Sequence, residues 1–384
     1  MPEARLLVRG GDAVLPGGVQ RADVLIEGGR VAAVGAGLST DGAGVIDASG
    51  MTVGPGFIDV HVHGGGGNSF FTHEVARIEA YCDWAPRNGV TSFLVSTVGR
   101  DAEDTRTLFR ALNPVIGRAG GAEPLGFHME GPFINPARMG AFPAGMLRNP
   151  VHGEFESFQE AAGGHIRQVT LAPELPGALE LIHAVRQSGA IPAMGHTDAT
   201  VVEARRGFDA GIRHVTHLFN AMRPIHQREG GPILAALLDE TVTCELICDG
   251  AHIDPEVLRL LFRFLGPERS VVVTDNLHLA GTGVTGGQFA GQNVAVSGAK
   301  AVREDGTIVG SVATMDEHFR NVIQWLGVDL PAAFRMCSGN PSRIAGAARK
   351  GHIEQGLDAD LVVLDGALQV AATVCRGAVA WRRA

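Results

Sequence analysis

The stretch FIDVHVHG (57–64) opens with apolar residues, ends in two histidines and runs straight into the glycines 64–67. A short apolar run that closes on reactive side chains is the pattern of a barrel strand whose C-terminal end opens on a site. The pattern recurs in seven more runs: TSFLVST (91–97), LGFHMEG (125–131), RQVTLAPE (167–174), IPAMGHTD (191–198), HVTHLFN (214–220), TCELICDG (243–250) and SVVVTDN (270–276). Between several of them lie segments with apolar residues at i, i+3 and i+4, over 101–117, 178–190, 200–211 and 254–266. A further helix is expected over 311–327. Eight β-then-α units with strands apolar on both faces predict an α/β fold, a closed parallel (β/α)8 barrel, in preference to an open sheet.

Both chain ends read differently. LLVRGGDAVLPGG, ADVLIEGGRVAAVGAG and GVIDASGMTVGPG alternate apolar residues with glycine-rich turns, and HIEQGLDADLVVLDG with LQVAATVCRGAVAWRR repeats the pattern at the tail. Residues 1–54 and 350–384 are therefore expected to pair into one small discontinuous β-sandwich domain, leaving 55–349 as the barrel. Two unrelated surface extensions are the alternative. After the third run, INPARMGAFPAGMLRNPVHGEFESF (134–158) has prolines, glycines and aromatics but little periodicity, which suits a functional loop or lid.

Composition narrows the function classes. The 384 residues are 45% hydrophobic and carry a net charge of −9, which disfavours a nucleic-acid partner but leaves room for a phosphorylated small molecule held by one or two arginines. Only Lys300 and Lys350 are lysines. The five cysteines are scattered with no CxxC pair, which fits a reducing compartment, and no apolar run is long enough for a signal peptide or a membrane span. A cytoplasmic protein without membrane contact is expected.

In a (β/α)8 barrel the reactive groups sit at the C-terminal strand ends. Those ends carry His61 and His63 (run 1), Glu130 (run 3), His196 (run 5), His217 (run 6) and Asp275 (run 8), with His252 just beyond run 7. His61 and His63, two apart on a strand, face the same way and can converge on one cation as neutral nitrogen donors. A carboxylate at Glu130 is costly to bury without a partner, which a metal or an ion pair supplies. His196 and His217 each follow apolar strand residues, where a satisfied core histidine is the alternative. Asp275 is the candidate base for a metal-activated water and a candidate ligand too, with a helix N-cap as the structural alternative. His128 is expected to pack behind the site, and His214, three residues before His217, to face the other way as a structural residue. The glycines 64–67 lack the GK[ST] ending of a phosphate loop, and no Gly-x-Ser-x-Gly elbow occurs.

PGFIDVHVHG (55–64), HMEGPFINP (128–136), GHTDA (195–199), THLFNAM (216–222), CDGAHI (248–253) and VVTD (272–275), with VLIEGGRVAAVG (24–35), GNPSRIAG (339–346) and GLDADLVVLD (356–365), carry a family resemblance. Over essentially its whole length the chain resembles the N-acetylglucosamine-6-phosphate deacetylases of the amidohydrolase superfamily. The resemblance implies a barrel plus a small β-sandwich, a homodimer, and one or two divalent ions (zinc or iron) per subunit. It also implies that Glu130, His196 and His217 bind the principal metal, that His61 and His63 permit a second, and that Asp275 is catalytic. Asn220, Ala221, Arg228 and His252 match positions that hold the amino sugar phosphate, the arginine reaching a neighbouring subunit's site. Related ring-opening cyclic amidases and urease-like enzymes bridge two metals with a strand-4 lysine. VTLAPE has none, so Glu130 would supply the anionic ligand. One departure concerns substrate. Family members usually carry a histidine that polarises the acetyl carbonyl in a KKGAH-like stretch, where this chain has ARMGAF and hence Phe142. The metal alone, His152 or His278 would have to compensate, or the substrate differs, for example N-acetylgalactosamine-6-phosphate or another N-acyl amine. NLHLAGTGVTGGQ (276–288) also departs from the family pattern. A catalytically silent scaffold is the remaining alternative, and this chain keeps every expected ligand.

Overall fold

The computed structural model describes residues 5–289 and 291–384. Eight parallel strands form the barrel wall: β1 (Phe57–Asp59), β2 (Val90–Ser96), β3 (Glu123–Glu130), β4 (Ile166–Leu171), β5 (Ile191–Met194), β6 (His214–Val215), β7 (Thr243–Ile247) and β8 (Ser270–Val273), paired in sequence order. The ring closes just past the strand ends, where Asp275 N–H donates to the His61 carbonyl (2.9 Å) and His63 N–H to the Asn276 carbonyl (2.8 Å). Asp59 adds a side-chain clasp, its carboxylate accepting from the Thr274 hydroxyl at 2.6 Å. Burial pushes that carboxyl up to about 7 although the Thr274 hydrogen bonds oppose it.

The longer helices are α1 (Val75–Trp84), α2 (Ala102–Leu112), α3 (Glu154–Ala161), α4 (Ala178–Gln187), α5 (Val201–Ala210), α6 (Gly231–Leu238), α7 (Pro255–Arg269) and α8 (Met315–Leu326), and the short helices Leu330–Phe334 and Asn340–Ile344 follow. Their starts are written in the sequence. Asp101 and Asp254 accept from backbone N–H groups in the first turns of α2 and α7, and Thr200 with Glu203 forms a reciprocal cap on α5. Expected helices at 101–117, 178–190, 200–211, 254–266 and 311–327 correspond to α2, α4, α5, α7 and α8. The segment 134–158 proves to be loop with two single-turn 3-10 pieces and the start of α3.

Ile58, Val60, Leu94, Ile247, Val271 and Val273 form one apolar cluster with Ile344 and Ala345. Alternation along the strands puts these side chains on the lumen face, opposite Phe57, Phe93, Leu246 and Val272 in the outer core, so this cluster plugs the interior below the strand ends. Outside the wall, Phe57, Phe93, Phe109 and Phe127 join the helices in the main core.

The two chain ends meet in a single eight-stranded sheet. Thr52–Pro55 pairs antiparallel with Leu361–Leu364, and the long strand Arg5–Leu15 takes Gly18–Glu27 on one side and both Ala43–Asp47 and Thr52–Pro55 on the other. The sheet folds over a core of its own, and strand alternation divides its faces: Leu361 and Val363 join that core while Val362 and Leu364 pack into the barrel's. Lys350 ties the units together, its ammonium lying 2.5 Å from Asp360 and 2.7 Å from Glu123 at the start of β3. A further four-stranded antiparallel sheet (Gly286–Phe289, Gln292–Ser297, Lys300–Val302, Ile308–Ser311) follows β8 and was not foreseen from the sequence.

Candidate metal centre

All six candidate ligands stand at the same rim. Glu130 is the last residue of β3; His196, His217 and Asp275 each lie two residues past the ends of β5, β6 and β8, and His61 and His63 follow β1. They form two adjoining sets, His61 with His63 and Asp275, and Glu130 with His196 and His217, the ligand atoms of each set lying within 4.8 Å of one another. Glu130 stands between them. One oxygen lies 3.1 Å from Nε2 of both His196 and His217, the other 3.1 Å from His63 Nε2. Asp275 lies 3.3 Å from His63 Nε2 and 3.5 Å from His61 Nε2.

Three of the four imidazoles are oriented from behind. His63 Nδ1 donates to the Ser96 carbonyl (3.0 Å), His196 Nδ1 to the Arg138 carbonyl (2.9 Å), and His61 Nδ1 to the Glu245 carboxylate (2.8 Å). Each such bond places the proton on Nδ1 and turns the Nε2 lone pair toward the carboxylates, as metal-binding imidazoles require. His61 Nε2 is buried and makes no hydrogen bond. An orphaned imidazole nitrogen among four imidazoles and two carboxylates fits a divalent ion such as zinc or iron, whose binding would satisfy it. The backbone is bent to make the set. His196, His217 and Asp275 all have positive φ (48°, 27° and 51°), a conformation that costs about 1–3 kcal/mol per residue and that surrounding contacts must impose.

The electrostatics follow from crowding. Burial opposes charge on His63, yet Asp275 and Glu130 outweigh it and hold the imidazole up at about 9. Burial likewise opposes ionisation of Glu130 and Asp275, and the histidines outweigh it in turn, so both carboxyls stay below their usual range.

Over residues 52–380 the sequence matches the amidohydrolase family. The chain belongs to the amidohydrolase family. It is 36% identical over 332 residues, 85% of this chain and 84% of the other, to the N-acetylglucosamine-6-phosphate deacetylase of Bacillus subtilis (strain 168). It is 32% identical over 318 residues, 82% and 84% of the two chains, to the N-acetylgalactosamine-6-phosphate deacetylase of Escherichia coli O157:H7. A solved mutant of the Mycobacterium smegmatis N-acetyl-D-glucosamine-6-phosphate deacetylase, in complex with N-acetyl-D-glucosamine-6-phosphate, superposes with a TM-score of 0.92 at 34% identity, covering 98% of this chain and 99% of that one.

In this amidohydrolase the centre forms the floor of a cavity of about 320 Å³, whose walls include Asn220, Ala221, His252 and Phe142. Asp249 anchors His252, its carboxylate 2.6 Å from Nδ1. Arg228 is exposed and lies outside this cavity. Phe142 stands edge-on to His196 at 5.4 Å. Neither proposed substitute for the missing histidine reaches the site: His152 is exposed beside Pro150 and Glu156, and His278 is outside the cavity wall, its ring beside Gly287. The glycines 65 and 66 are accounted for by packing, since side chains there would collide with the Trp84 ring. Neither lysine can bridge metals. Lys350 is spent in the ion pairs with Asp360 and Glu123, and Lys300 starts a strand of the sheet after β8.

His128 is buried as expected, bonded to Ser96 Oγ (2.9 Å) and Thr170 Oγ1 (2.8 Å). His214 corrects the reading. It is no ligand, but its ring points into the barrel instead of away, with Nε2 3.0 Å from Glu245. β6 has only two residues before the chain turns at His217, so strand alternation does not carry from 214 to 217. The residue the sequence reading missed is Glu245, in the interior of β7. One of its oxygens accepts from His61 Nδ1 and the His217 N–H (2.9 Å), the other from His214 Nε2 and Gln168 Nε2 (2.7 Å). Burial works against its charge, but His61 and His214 outweigh that and keep the carboxyl well below its usual range. Its one signal was a lone carboxylate inside the apolar run TCELIC.

Proposed function

We propose that this amidohydrolase removes the acetyl group from N-acetylglucosamine-6-phosphate, giving glucosamine-6-phosphate and acetate. The observation that carries the reading is Asp275 held against the Glu130-centred cluster on the floor of a cavity walled by Asn220, Ala221 and His252. Similar proteins named as deacetylases of N-acetylated amino sugar phosphates support it.

Glu130, His196 and His217 would hold the principal ion, and His61, His63 and Asp275 would allow a second; zinc and iron both suit the donors. When bound, a divalent cation supplies a Lewis acid for the acyl carbonyl and lets water ionise near neutral pH. Asp275, ionised at neutral pH, accepts the proton of the attacking water and returns it to the departing amine. Asn220, the Ala221 backbone and His252 seat the sugar phosphate, and Arg228 contacts the phosphate in the neighbouring subunit of a homodimer. Residues 55–349 form the catalytic unit, and 1–54 with 350–384 the small β domain. The protein works in the cytoplasm; among the described residues no helix is long and apolar enough to cross a membrane, and all five cysteines are free.

A second reading keeps the chemistry and changes the substrate to N-acetylgalactosamine-6-phosphate or another N-acyl amine, because Phe142 puts a ring where the family resemblance implies a carbonyl-polarising histidine. The test is acetate release by zinc- or iron-loaded protein from both sugar phosphates and from unphosphorylated N-acetylglucosamine. Preference for N-acetylglucosamine-6-phosphate supports the first reading; preference for the galactosamine epimer favours the second, and no release from any of them overturns both deacetylase readings.

A further inference from the structure

A second chamber adjoins the metal centre, and the proposed reaction makes no use of it. It holds about 540 Å³ and is lined by Phe71, Val98, Leu108 and Met146. Phe142 and Phe289 line both this chamber and the active-site cavity, so the two spaces share a wall of two aromatic rings. The chamber starts one ring from the ligands: Phe71 stacks on His63 at 5.3 Å and meets Phe289 edge-on at 5.0 Å. Its polar end is where Arg100 and His73 both pair with Asp104, at 3.0 and 3.2 Å.

Barrel order gives the chamber a direction. Its walls come from the segments after β1 (Phe71), β2 (Val98, Leu108) and β3 (Phe142, Met146). Asn220 and Ala221 follow β6 and His252 follows β7, which face β2 and β3 across an eight-membered ring. An enzyme that breaks a bond over the centre seats the leaving group on one side and the acyl group on the other. With the amino sugar phosphate on the β6–β7 side, the acyl group points toward β1–β3 and this apolar space. A phenyl ring at 142, in place of a polar donor, makes the shared wall apolar as well.

We propose that the chamber is an acyl subsite, and that the enzyme hydrolyses N-acyl amino sugar phosphates whose acyl group is longer or bulkier than acetyl. The proposal rests on the amide-hydrolase reading above. The reaction balances as a hydrolysis: the amide C–N bond breaks, the carbonyl carbon gains the oxygen of water, and the amine leaves with a proton, giving a carboxylate and an amino sugar phosphate. Each methylene buried in such a chamber is worth about fourfold in kcat/KM until the space is filled.

The experiment measures kcat/KM of the metal-loaded enzyme for N-acetyl-, N-butanoyl-, N-hexanoyl- and N-phenylacetyl-glucosamine-6-phosphate. It repeats the series in Gly145→Phe and Met146→Trp. Gly145 lines the chamber, and a β-carbon there meets nothing within 4 Å, so the substitution starts from open space. The expected result is a rise of about fourfold per added methylene, abolished in both variants, with N-acetyl turnover unchanged. Turnover of the N-acetyl substrate with rejection of the longer ones overturns the acyl subsite and leaves the deacetylase reading standing. Turnover of the longer substrates alone supports the subsite and removes the deacetylase reading; hydrolysis of none overturns both.

Discussion

Replacing Glu245 by glutamine tests whether the buried layer beneath the centre sets its metal affinity. Each Glu245 oxygen accepts two hydrogen bonds, from His61 Nδ1 and the His217 N–H on one side and from His214 and Gln168 on the other. A glutamine keeps one accepting oxygen and turns a donor toward the other pair, so one side is left mismatched in either orientation. If the amide faces His61, that ring must put its proton on Nε2 and ceases to be a ligand. If it faces His214 and Gln168, those two can reorganise, and His61 keeps its bond to a neutral oxygen only. The lost charge-assisted bond is worth about 1.5–3 kcal/mol, and removing such a support behind a ligand weakens metal binding about 10- to 100-fold. The two figures agree, since tenfold is about 1.4 kcal/mol. The assay is a competition titration of zinc against a chelator, on variant protein shown to be folded by circular dichroism. An affinity within twofold of the unaltered protein would refute the role given to Glu245.

Asp275→Asn should lower kcat by about 10²–10⁴-fold while the protein keeps its metal, measured by acetate release beside metal analysis. Metal affinity should rise with pH, because proton and cation compete for the His63 lone pair, which holds its proton up to about 9. The rise should be at most about tenfold per pH unit for one displaced proton and should level off above that pH; a flat profile between pH 6 and 9 would count against the coupling. Arg228→Ala should raise KM for phosphorylated substrates about 10- to 100-fold and leave unphosphorylated ones unaffected, which steady-state kinetics on both kinds of substrate would show.

The barrel was readable because each wall strand is a short apolar run that ends in a polar residue, and Glu130, His196, His217 and Asp275 announced the rim by recurring at equivalent points. Helices with one apolar face, such as α2 and α5, were readable for the same reason. α6, GPILAALL, was not, since it is apolar throughout and shows no helical period. Nor was the sheet over 286–311, whose first two strands bury little and alternate weakly. Glu245 escaped because its meaning lies in partners from three other strands or strand ends, His61, Gln168 and His214, which only the closed ring brings together. His214 was misdirected because alternation was carried past the end of a two-residue strand. The side chain at Phe142 was legible, but the space behind it was not, because Phe71, Val98 and Met146 come from three separate loops.

The most direct measurement is the metal stoichiometry of the purified protein after exposure to zinc or iron, compared with that of Glu130→Ala. With Glu130 standing between the two ligand sets, the unaltered chain should retain one to two ions and the variant should lose them along with acetate release. A chain that holds no divalent ion under these conditions, or a variant that binds as well as the original, would contradict the account.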